Sequence, residues 1–466
     1  MKLSDGDNAR IRELLSQLLE TTISIIQKEK IRDRIEPEIQ TVLRLKVSDF
    51  RYGDDGPHFS KGGTHAEKRI YYTPPGLLKK LQDTASYNQT LTFLKNVTIN
   101  PGREDLILKK FVHRNISIYF EKGSISEFEL EKNVEILLDD LLFHGNNWYA
   151  NAALIGIILR PNEFEISQGI RIRKSKKEDF EEDIHTNDTN SWSHGFPPTA
   201  FLEFSIRDLK NSTELTKIVE KTVILLRLFR VGSVGLISID EAHPVVDLSK
   251  GIGSGSVIYP NQNRALFNTI IQNDDIEPLK KFLNILPPTV QEDFYNNEST
   301  NFISIANSHY SDSLLKDGGI EEKISGVVIG LESIFLKNIN EKRKTKLLKS
   351  RVARLLVNFN FIPANVQEAI DDAYFCRTKC LHGEHLSESE KQQIKKKYNG
   401  DLKNLLFLIL EFLRRSILIG IFFHPQRKEI FIEMIDNSFS DENINQELNK
   451  FLNQMNLKIA NNEQTK

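Results

Sequence analysis

The sequence predicts an α+β protein in which a mixed region of helices and strands precedes an all-α helical bundle. Short β-branched or alternating runs, bounded by Gly, Asn and Pro, occur within the first 290 residues. After about Pro287 proline becomes rare, and helical periodicity continues almost to the end of the chain. The length of 466 residues is also too great for one ordinary core. We therefore expect an α+β region over 1–290, with up to two subdomains, and an all-α domain over 291–466.

The first region shows elements of both kinds. Helical spacing of Ile and Leu predicts a helix over Ala9–Leu45, and a high content of Gly and charge predicts a loop over 49–63. The stretch 92–173 is expected to be rich in strands, because runs such as Ile116–Phe120 alternate in hydrophobicity. Further expected elements are strands at Ala152–Leu159, Ile170–Arg173, Ala200–Ile206 and Val231–Ile239, an exposed loop at 177–195, a helix at Glu214–Phe229 and a turn at 251–256.

The second region is expected to contain helices throughout. Pro363 precedes one of them and Gly383 follows it, which are typical start and stop signals. The predicted helices are Asn301–Leu315, Ile320–Lys337, Lys346–Asn358, Val366–Leu381, Gly400–Phe423, Lys428–Phe439 and Asn443–Met455.

Composition narrows the class of protein. A hydrophobic content of 39% with 27% charged residues is typical of a folded globular chain, and the formal net charge of -2 means that a nucleic-acid partner would need a local basic patch. Two cysteines, Cys376 and Cys380, exclude a disulfide framework and fall short of a structural zinc site. The N-terminus lacks the apolar core of a signal peptide. We expect a cytoplasmic protein without a membrane span.

The stretch Leu405–Phe423 is the most apolar of the chain. Glu411, Arg414 and Arg415 interrupt it midway, and a bilayer would tolerate these charges poorly. A buried amphipathic helix is the better interpretation.

The segment 373–383, AYFCRTKCLHG, carries the residues best suited to chemistry. Arg377 and His382 are separated by four residues, and Gly383 follows the histidine directly. This segment comes after a Gly330-Leu-Glu-Ser-Ile-Phe335 helix and an Arg351-Val-Ala-Arg-Leu-Leu356 element.

This order resembles the HEPN superfamily, specifically its ApeA-like branch, over roughly residues 300–455. The resemblance rests on the pattern Tyr374-x-x-Arg377-x-x-x-x-His382-Gly383 and on the upstream elements. Catalytic members often carry Asn, Asp or His after the motif arginine, whereas this chain has Thr378. Segments 169–173 and 225–229 are similar to sequences found upstream of such domains.

The resemblance implies a metal-independent endoribonuclease without a cofactor, with Arg377 and His382 as catalytic residues. It also implies a homodimer whose paired motifs line one cleft, RNA as the substrate with tRNA as one candidate, and a role as a toxic effector of bacterial antiviral defence. The first region would sense a trigger that the sequence does not identify. Residues expected to bind substrate or to support the site are Thr378, Tyr374, Lys379, Glu332 and Arg351.

The two residue types suit RNA cleavage without metal. A histidine titrates near neutrality and can accept or donate the required proton. A guanidinium keeps its charge and donates parallel hydrogen bonds to phosphate oxygens. Geometry complicates this picture, because five residues of ideal helix place Arg377 and His382 about 140° apart. Either the helix ends near 381–383 and turns His382 inward, or two subunits complete the site together.

Two basic runs could meet the charge of a polynucleotide. Residues 342–354 hold seven basic side chains and no acid, and 391–398 adds another run. A solvated helix face explains them equally well.

Alternatives for the motif residues stay open. Arg377 could pair with Asp371 or Asp372 while His382 caps the helix. Glu332 either orients Arg377 or is an exposed acid. His382, Glu384 and His385 are a weak candidate metal set, because no third distant ligand is evident. The domain could also be a non-catalytic nucleotide- or RNA-binding dimerisation module, or a module that binds only proteins.

Overall fold

The computed structural model describes residues 5–28, 38–71, 77–97, 104–142, 148–180, 183–184, 197–206, 212–242, 255–256, 266–285, 294, 301–338, 340–423 and 428–460. Within them the chain has the predicted α+β class, with a largely helical C-terminal part.

The first part of the chain forms helices packed around their own core, together with a long hairpin. Its elements are α1 (Asp5–Lys28), β1 (Glu38–Gly53), β2 (Gly56–Tyr71), α2 (Leu77–Gln82), α3 (Ala85–Val97), α4 (Glu104–Lys122) and α5 (Glu127–Leu142). The helices bury an apolar cluster that includes Leu15, Leu18 and Phe111.

Three predictions for this part were wrong. The first helix ends at Lys28 rather than at Leu45, and the predicted loop at 49–63 lies in the β1–β2 hairpin, whose strands pair antiparallel from Glu38 opposite Tyr71 to the tip. The alternating run Ile116–Phe120 belongs to α4. A helical repeat is visible over ten residues, in which the buried positions are 111, 112, 115, 116, 119 and 120. The five residues 116–120 alone are too few to show it.

The hairpin tip contacts the sheet that follows. The Tyr52 hydroxyl donates a hydrogen bond to the Thr199 carbonyl at 2.7 Å, and the rings of Phe50 and Phe180 lie 5.6 Å apart. Burial raises the pKa of Tyr52 to about 12, so its hydroxyl stays protonated and can donate.

The sheet region contains the predicted strands. Its elements are β3 (Trp148–Ile155), β4 (Ile157–Leu159), β5 (Glu163–Ser167), β6 (Ile170–Lys174), β7 (Asp183–Ile184), β8 (Ala200–Ile206), α6 (Ser212–Phe229), β9 (Gly235–Ala242), β10 (Gly255–Ser256), β11 (Thr269–Ile271) and α7 (Ile276–Ile285). Six of the strands form an antiparallel sheet in the order β10-β9-β3-β8-β6-β5. The short strand β7 pairs with β1, and β4 pairs in parallel with β11.

The strands predicted at 152–159, 170–173 and 200–206 and the helix at 214–229 are confirmed. Gly156 divides the first of these strands at φ 74, where the carbonyl of Ser233 leaves no room for a Cβ atom. Of the predicted loop at 177–195 and turn at 251–256, most residues lie outside the described ones.

All seven predicted C-terminal helices are present. They are α8 (Phe302–Leu315), α9 (Ile320–Phe335), α10 (Lys344–Leu356), α11 (Pro363–Leu381), α13 (Leu402–Phe423), α14 (Lys428–Asn437) and α15 (Glu442–Ala460). The structure adds α12 (Glu388–Lys397), which was not predicted. Its start carries a capping box, because the Ser387 side chain accepts from the Glu390 amide and Glu390 accepts from the Ser387 amide.

The core does not divide where strands give way to helices. One continuous apolar cluster extends from the sheet to α15. Polar contacts cross the same boundary, because Tyr310 donates to the Arg227 carbonyl at 2.9 Å and Arg414 donates to the carbonyls of Leu228 and Phe229 at 2.8 and 2.9 Å. These side chains cap the last carbonyls of α6, which a helix leaves without internal partners.

The charges inside α13 are buried as an ion cluster. Glu411 accepts from Arg414 and from Arg415, each at 2.6 Å. Because both guanidinium groups hold the charged carboxylate, the pKa of Glu411 stays below its ordinary range despite burial. None of the described helices, α13 included, is long and apolar enough to cross a bilayer.

Candidate functional site

The helix α11 presents the motif at its C-terminal end. Pro363 occupies the first turn, where a missing N–H costs nothing. The helix ends at Leu381, and Gly383 adopts φ 70. The Gly383 amide donates to the Cys380 carbonyl at 3.0 Å and the Glu384 amide to the Lys379 carbonyl at 2.9 Å. These two bonds form a Schellman motif, which fixes the end of the helix.

His382 is the last residue before this turn. Its amide donates to the carbonyls of Thr378 and Lys379, at 3.2 and 3.1 Å, so its backbone is fixed by two hydrogen bonds. Its side chain is exposed. The helix therefore ends where the sequence indicated, but the imidazole is not turned inward.

Arg377 lies on another face of α11 and is largely enclosed. Its Nη2 donates to Glu332 Oε2 of α9 at 2.7 Å, and its guanidinium lies 5.1 Å from the centre of the Tyr374 ring. The side chains of Arg377 and Glu332 are 19% and 13% exposed. Glu332 thus contacts Arg377 as expected of an orienting acid. The alternative partners are engaged elsewhere, Asp371 with Lys349 and Asp372 with residues of α12.

The Arg377–Glu332 pair is incomplete. Arg377 Nε and Glu332 Oε1 are both buried and have no hydrogen-bond partner among the described residues. A guanidinium and a carboxylate can form two parallel hydrogen bonds, but only one is present here. Each unmet buried atom costs on the order of 1–3 kcal/mol. This pair therefore has hydrogen-bonding capacity left for a further group.

Tyr374 completes this cluster. Burial raises the pKa of its hydroxyl, and the Glu332 carboxylate raises it further, whereas Arg377 and a hydrogen bond with Thr345 lower it. The hydroxyl therefore remains protonated near neutral pH and can serve as a hydrogen-bond donor. Arg377, Glu332, Tyr374 and Thr345 bring α9, α10 and α11 together at one point.

The other motif side chains have local partners. The Thr378 hydroxyl donates to the Tyr374 carbonyl at 2.9 Å, one helical turn back. Lys379 pairs with Glu384 at 2.9 Å and with Glu390 of α12 at 3.5 Å. The Glu384 hydrogen bond is the main reason that the pKa of Lys379 is raised. In this arrangement Lys379 holds α12 against the motif turn, and its charge is already balanced.

Arg351 occupies a supporting position rather than a substrate-contacting one. Its side chain is 2% exposed. It donates to Asp436 at 2.7 and 2.8 Å, to Glu341 at 2.8 and 3.2 Å, and to the Phe335 carbonyl at 2.6 Å. All of its N–H groups are therefore used inside the protein, and the guanidinium joins α9, α10 and α14.

The exposed face of α11 differs from the face that holds Arg377. Phe375, Thr378 and His382 follow one another at spacings of three and four residues, so they form one exposed stripe. Phe375 and Leu381 are large apolar side chains that are 40% and 57% exposed. A single chain thus places Arg377 and His382 on different faces, as the helical spacing predicted.

Other residues near the motif have simpler roles. Cys376 is buried, and burial raises the pKa of its thiol to about 12, as expected for a small core side chain. His385 lies 3.9 Å from Glu321. In the part of the chain that the structure describes, no group of three or more His, Cys, Asp or Glu side chains could hold a metal ion.

Comparison of the chain with family models, curated proteins and solved structures found no match.

Proposed function

We propose that the chain is a metal-independent endoribonuclease in which Arg377 and His382 act on one phosphodiester bond. The observation that supports this most directly is the end of α11. There a backbone-fixed, exposed imidazole follows, five residues later and on another face, a guanidinium that is oriented by Glu332 and stacked on Tyr374. The HEPN resemblance of the segment extends the proposal to a cytoplasmic effector of antiviral defence, with the region before residue 291 as its sensor.

The chemistry requires one proton to leave and one to arrive. The 2′-oxygen of the substrate forms a bond to the adjacent phosphorus while the bond from phosphorus to the 5′-oxygen breaks. The 2′-hydroxyl proton passes to a base, and the leaving 5′-oxygen takes a proton from an acid, which gives a 2′,3′-cyclic phosphate and a 5′-hydroxyl. His382 can perform one of these transfers, and Arg377 stabilises the added charge on the non-bridging oxygens.

Two copies of the chain complete this site in the proposal. One chain cannot direct both groups to the same phosphate by a regular helix, because they lie about 140° apart around α11. The stripe of Phe375, Thr378 and His382 is exposed and partly apolar, as expected of a face that meets an identical face across a two-fold axis. The histidine of each copy would then approach the arginine of the other.

The proposal is tested with purified protein and RNA in excess EDTA. We expect cleavage to a 2′,3′-cyclic phosphate, and we expect His382→Ala to reduce the rate by about 10²–10⁴-fold. His385→Ala is the matched control, because it removes another exposed imidazole three residues away and should leave the rate unchanged. Strict dependence on an added divalent metal would reject the mechanism, as would equal losses in both variants.

A second candidate function follows from the Arg377–Glu332 pair. Because the guanidinium is already paired, the domain could bind RNA or a nucleotide without cleaving it. RNA binding by the wild type without cleavage, retained in Arg377→Ala and His382→Ala, would favour this module. A protein-interaction role would show neither binding nor cleavage.

A further inference from the structure

The basic run 342–354 divides into two halves with different surroundings. In the second half Lys349 pairs with Asp371 at 2.6 Å and Arg351 is enclosed by two carboxylates. Arg354 donates to three neutral side chains, Ser438 after α14 and Asn445 and Asn449 of α15. These three residues join α10 to its neighbours. Their donors are used inside the protein, and the charges of Lys349 and Arg351 are paired with carboxylates.

The first half consists of Lys342, Arg343, Lys344 and Lys346, which we call the α10 basic cluster. Three of these side chains are exposed and Lys344 is half-buried. Among the described residues none of the four has a carboxylate within ion-pairing distance, and the adjacent Glu341 is engaged by Arg351. The cluster thus presents four uncompensated positive charges in a chain that is nearly neutral as a whole.

These charges are unfavourable for the fold. They surround the first turn of α10, which contains no acidic residue, although the start of a helix carries partial positive charge. Arg343 also adopts φ 57, a left-handed conformation that costs a non-glycine residue on the order of 1–2 kcal/mol. A local departure from helix rules without a compensating contact is characteristic of functional segments.

The packing of α10 against α11 sets the position of the cluster. Lys349 meets Asp371, and one turn earlier in α10 Thr345 meets Tyr374, so the two helices run antiparallel. Thr345 lies in the first turn of α10, and the Tyr374 ring that it meets lies 5.1 Å from the Arg377 guanidinium, so the start of α10 is near Arg377. The α10 basic cluster therefore lies next to the motif.

We infer that the α10 basic cluster binds the phosphodiester backbone of the substrate on one side of the scissile bond, independently of sequence. This inference rests on the proposed ribonuclease function and specifies the path of the polynucleotide. Flexible lysines without acid partners suit such contacts, because they neutralise phosphates as point charges. The run 391–398, at the end of α12, fits less well, since Lys391 and Lys397 are paired with acids.

The salt dependence of binding tests the inference in the full chain. The probe is a single-stranded RNA with 2′-O-methyl groups throughout, which retains every phosphate and cannot be cleaved by attack of its 2′-oxygen. Each phosphate contact contributes about 0.7 to the slope of log K against log salt for single strands. We expect Lys342→Gln with Lys346→Gln to reduce the slope by about 1.4.

The matched control is Lys395→Gln with Lys396→Gln. It removes two lysines of α12 that have no ion pair among the described residues, and it should leave the slope within about 0.3 of the wild type. An equal reduction in both double variants would overturn the inference, because the effect would then follow net charge alone. An unchanged slope in the α10 variant, or no binding by the wild type, would also overturn it.

Two further readouts distinguish phosphate binding by the cluster from a structural role and from the cleavage reaction itself. The thermal midpoint of the α10 variant should stay the same or rise, because the lost charges oppose the helix dipole, whereas a structural role would lower it. If unmodified RNA is bound with the expected slopes but never cleaved, the cluster is supported and the ribonuclease proposal fails. If RNA is cleaved while the α10 variant keeps the wild-type slope, the proposal stands and the cluster inference fails.

Discussion

Replacing Arg351 by Met would remove the most heavily used guanidinium near the candidate site. The side chain is 2% exposed and donates to Glu341, Asp436 and the Phe335 carbonyl. Methionine has similar length and can fill the space, but it has no N–H donor. The substitution therefore tests the ion network with little change in volume.

The expected loss follows from the burial of the two acids. Removing one partner of a buried ion pair costs about 3–5 kcal/mol, because the other charge is left without compensation. The Asp436 side chain is 34% exposed, so water can replace part of its lost contacts, whereas Glu341 is only 14% exposed. We therefore expect the free energy of unfolding to decrease by about 3 kcal/mol, the lower end of this range. The free energy of unfolding of a folded protein is typically about 5–15 kcal/mol in total.

Chemical denaturation of the full chain measures this loss, with Arg354→Met as the control. Arg354 also lies on α10, but its hydrogen bonds go to the neutral side chains of Ser438, Asn445 and Asn449. Its removal should cost about 1–2 kcal/mol, because no charge is stranded. A loss for Arg351→Met that is no greater than this control would refute the reasoning. Weakened RNA binding by the folded variant would refute its assignment to a supporting role.

Three further results are expected. Gly383→Ala should lower the free energy of unfolding by about 1 kcal/mol, because Gly383 has φ 70, although a Cβ atom would meet no neighbour. Gly383→Asn should lower it less, since Asn adopts positive φ more readily, and equal losses would count against this cause. Arg414→Met should lose about 3 kcal/mol or more, since it leaves α6 carbonyls and part of Glu411 unsatisfied, and a loss under 1 kcal/mol would contradict this. Hydrogen bonds from Arg351 hold the pKa of Glu341 below its ordinary value of 4.5, although burial raises it. The resulting stability is present above pH 4.5 and is lost as the pH falls through the lower folded pKa. When the free energy of unfolding is measured against pH, Glu341→Gln should therefore show a smaller decrease below pH 4.5 than the wild type.

The C-terminal helices were predictable because each presents a long apolar face and clear end signals. Pro363 and Gly383 delimited α11 to within a few residues. The helix α12 was missed although its Ser387-x-x-Glu390 start is a recognisable capping box. Its sequence has few apolar residues, and among its own residues it buries only Ile394, so the apolar repeat alone gave little signal.

The first part of the chain was harder to predict because short windows mislead. The run at 116–120 alternates over five residues, yet over ten residues its buried positions follow a helical repeat. The reverse error occurred at β1, where Leu43, Leu45 and Val47 alternate with Arg44 and Lys46 but follow a strongly helical stretch. In both places the deciding information lay in a longer segment or in a partner strand distant in sequence.

The candidate site was predictable in its residues but only partly in its geometry. The spacing of Arg377 and His382 already indicated different faces of one helix. Two features could be recognised only from the tertiary structure. One is the ion pair between Lys379 and Glu390 of α12. The other is the division of the basic run 342–354 into a first half without acid partners and a second half that is bonded inside the protein. Both depend on acids contributed from other helices, and a linear sequence does not show which acid meets which base.

The unbroken core between the sheet and the helices has a practical consequence for dissecting the protein. A fragment starting at 291 would remove the α6 carbonyls that Tyr310 and Arg414 now contact, and it would uncover apolar side chains of the bundle that share one cluster with the sheet. Hydrocarbon uncovered in this way promotes self-association. Shortened expression products should therefore keep the strands and the bundle in one piece, together with the β1–β2 hairpin whose Phe50 and Tyr52 contact Phe180 and Thr199.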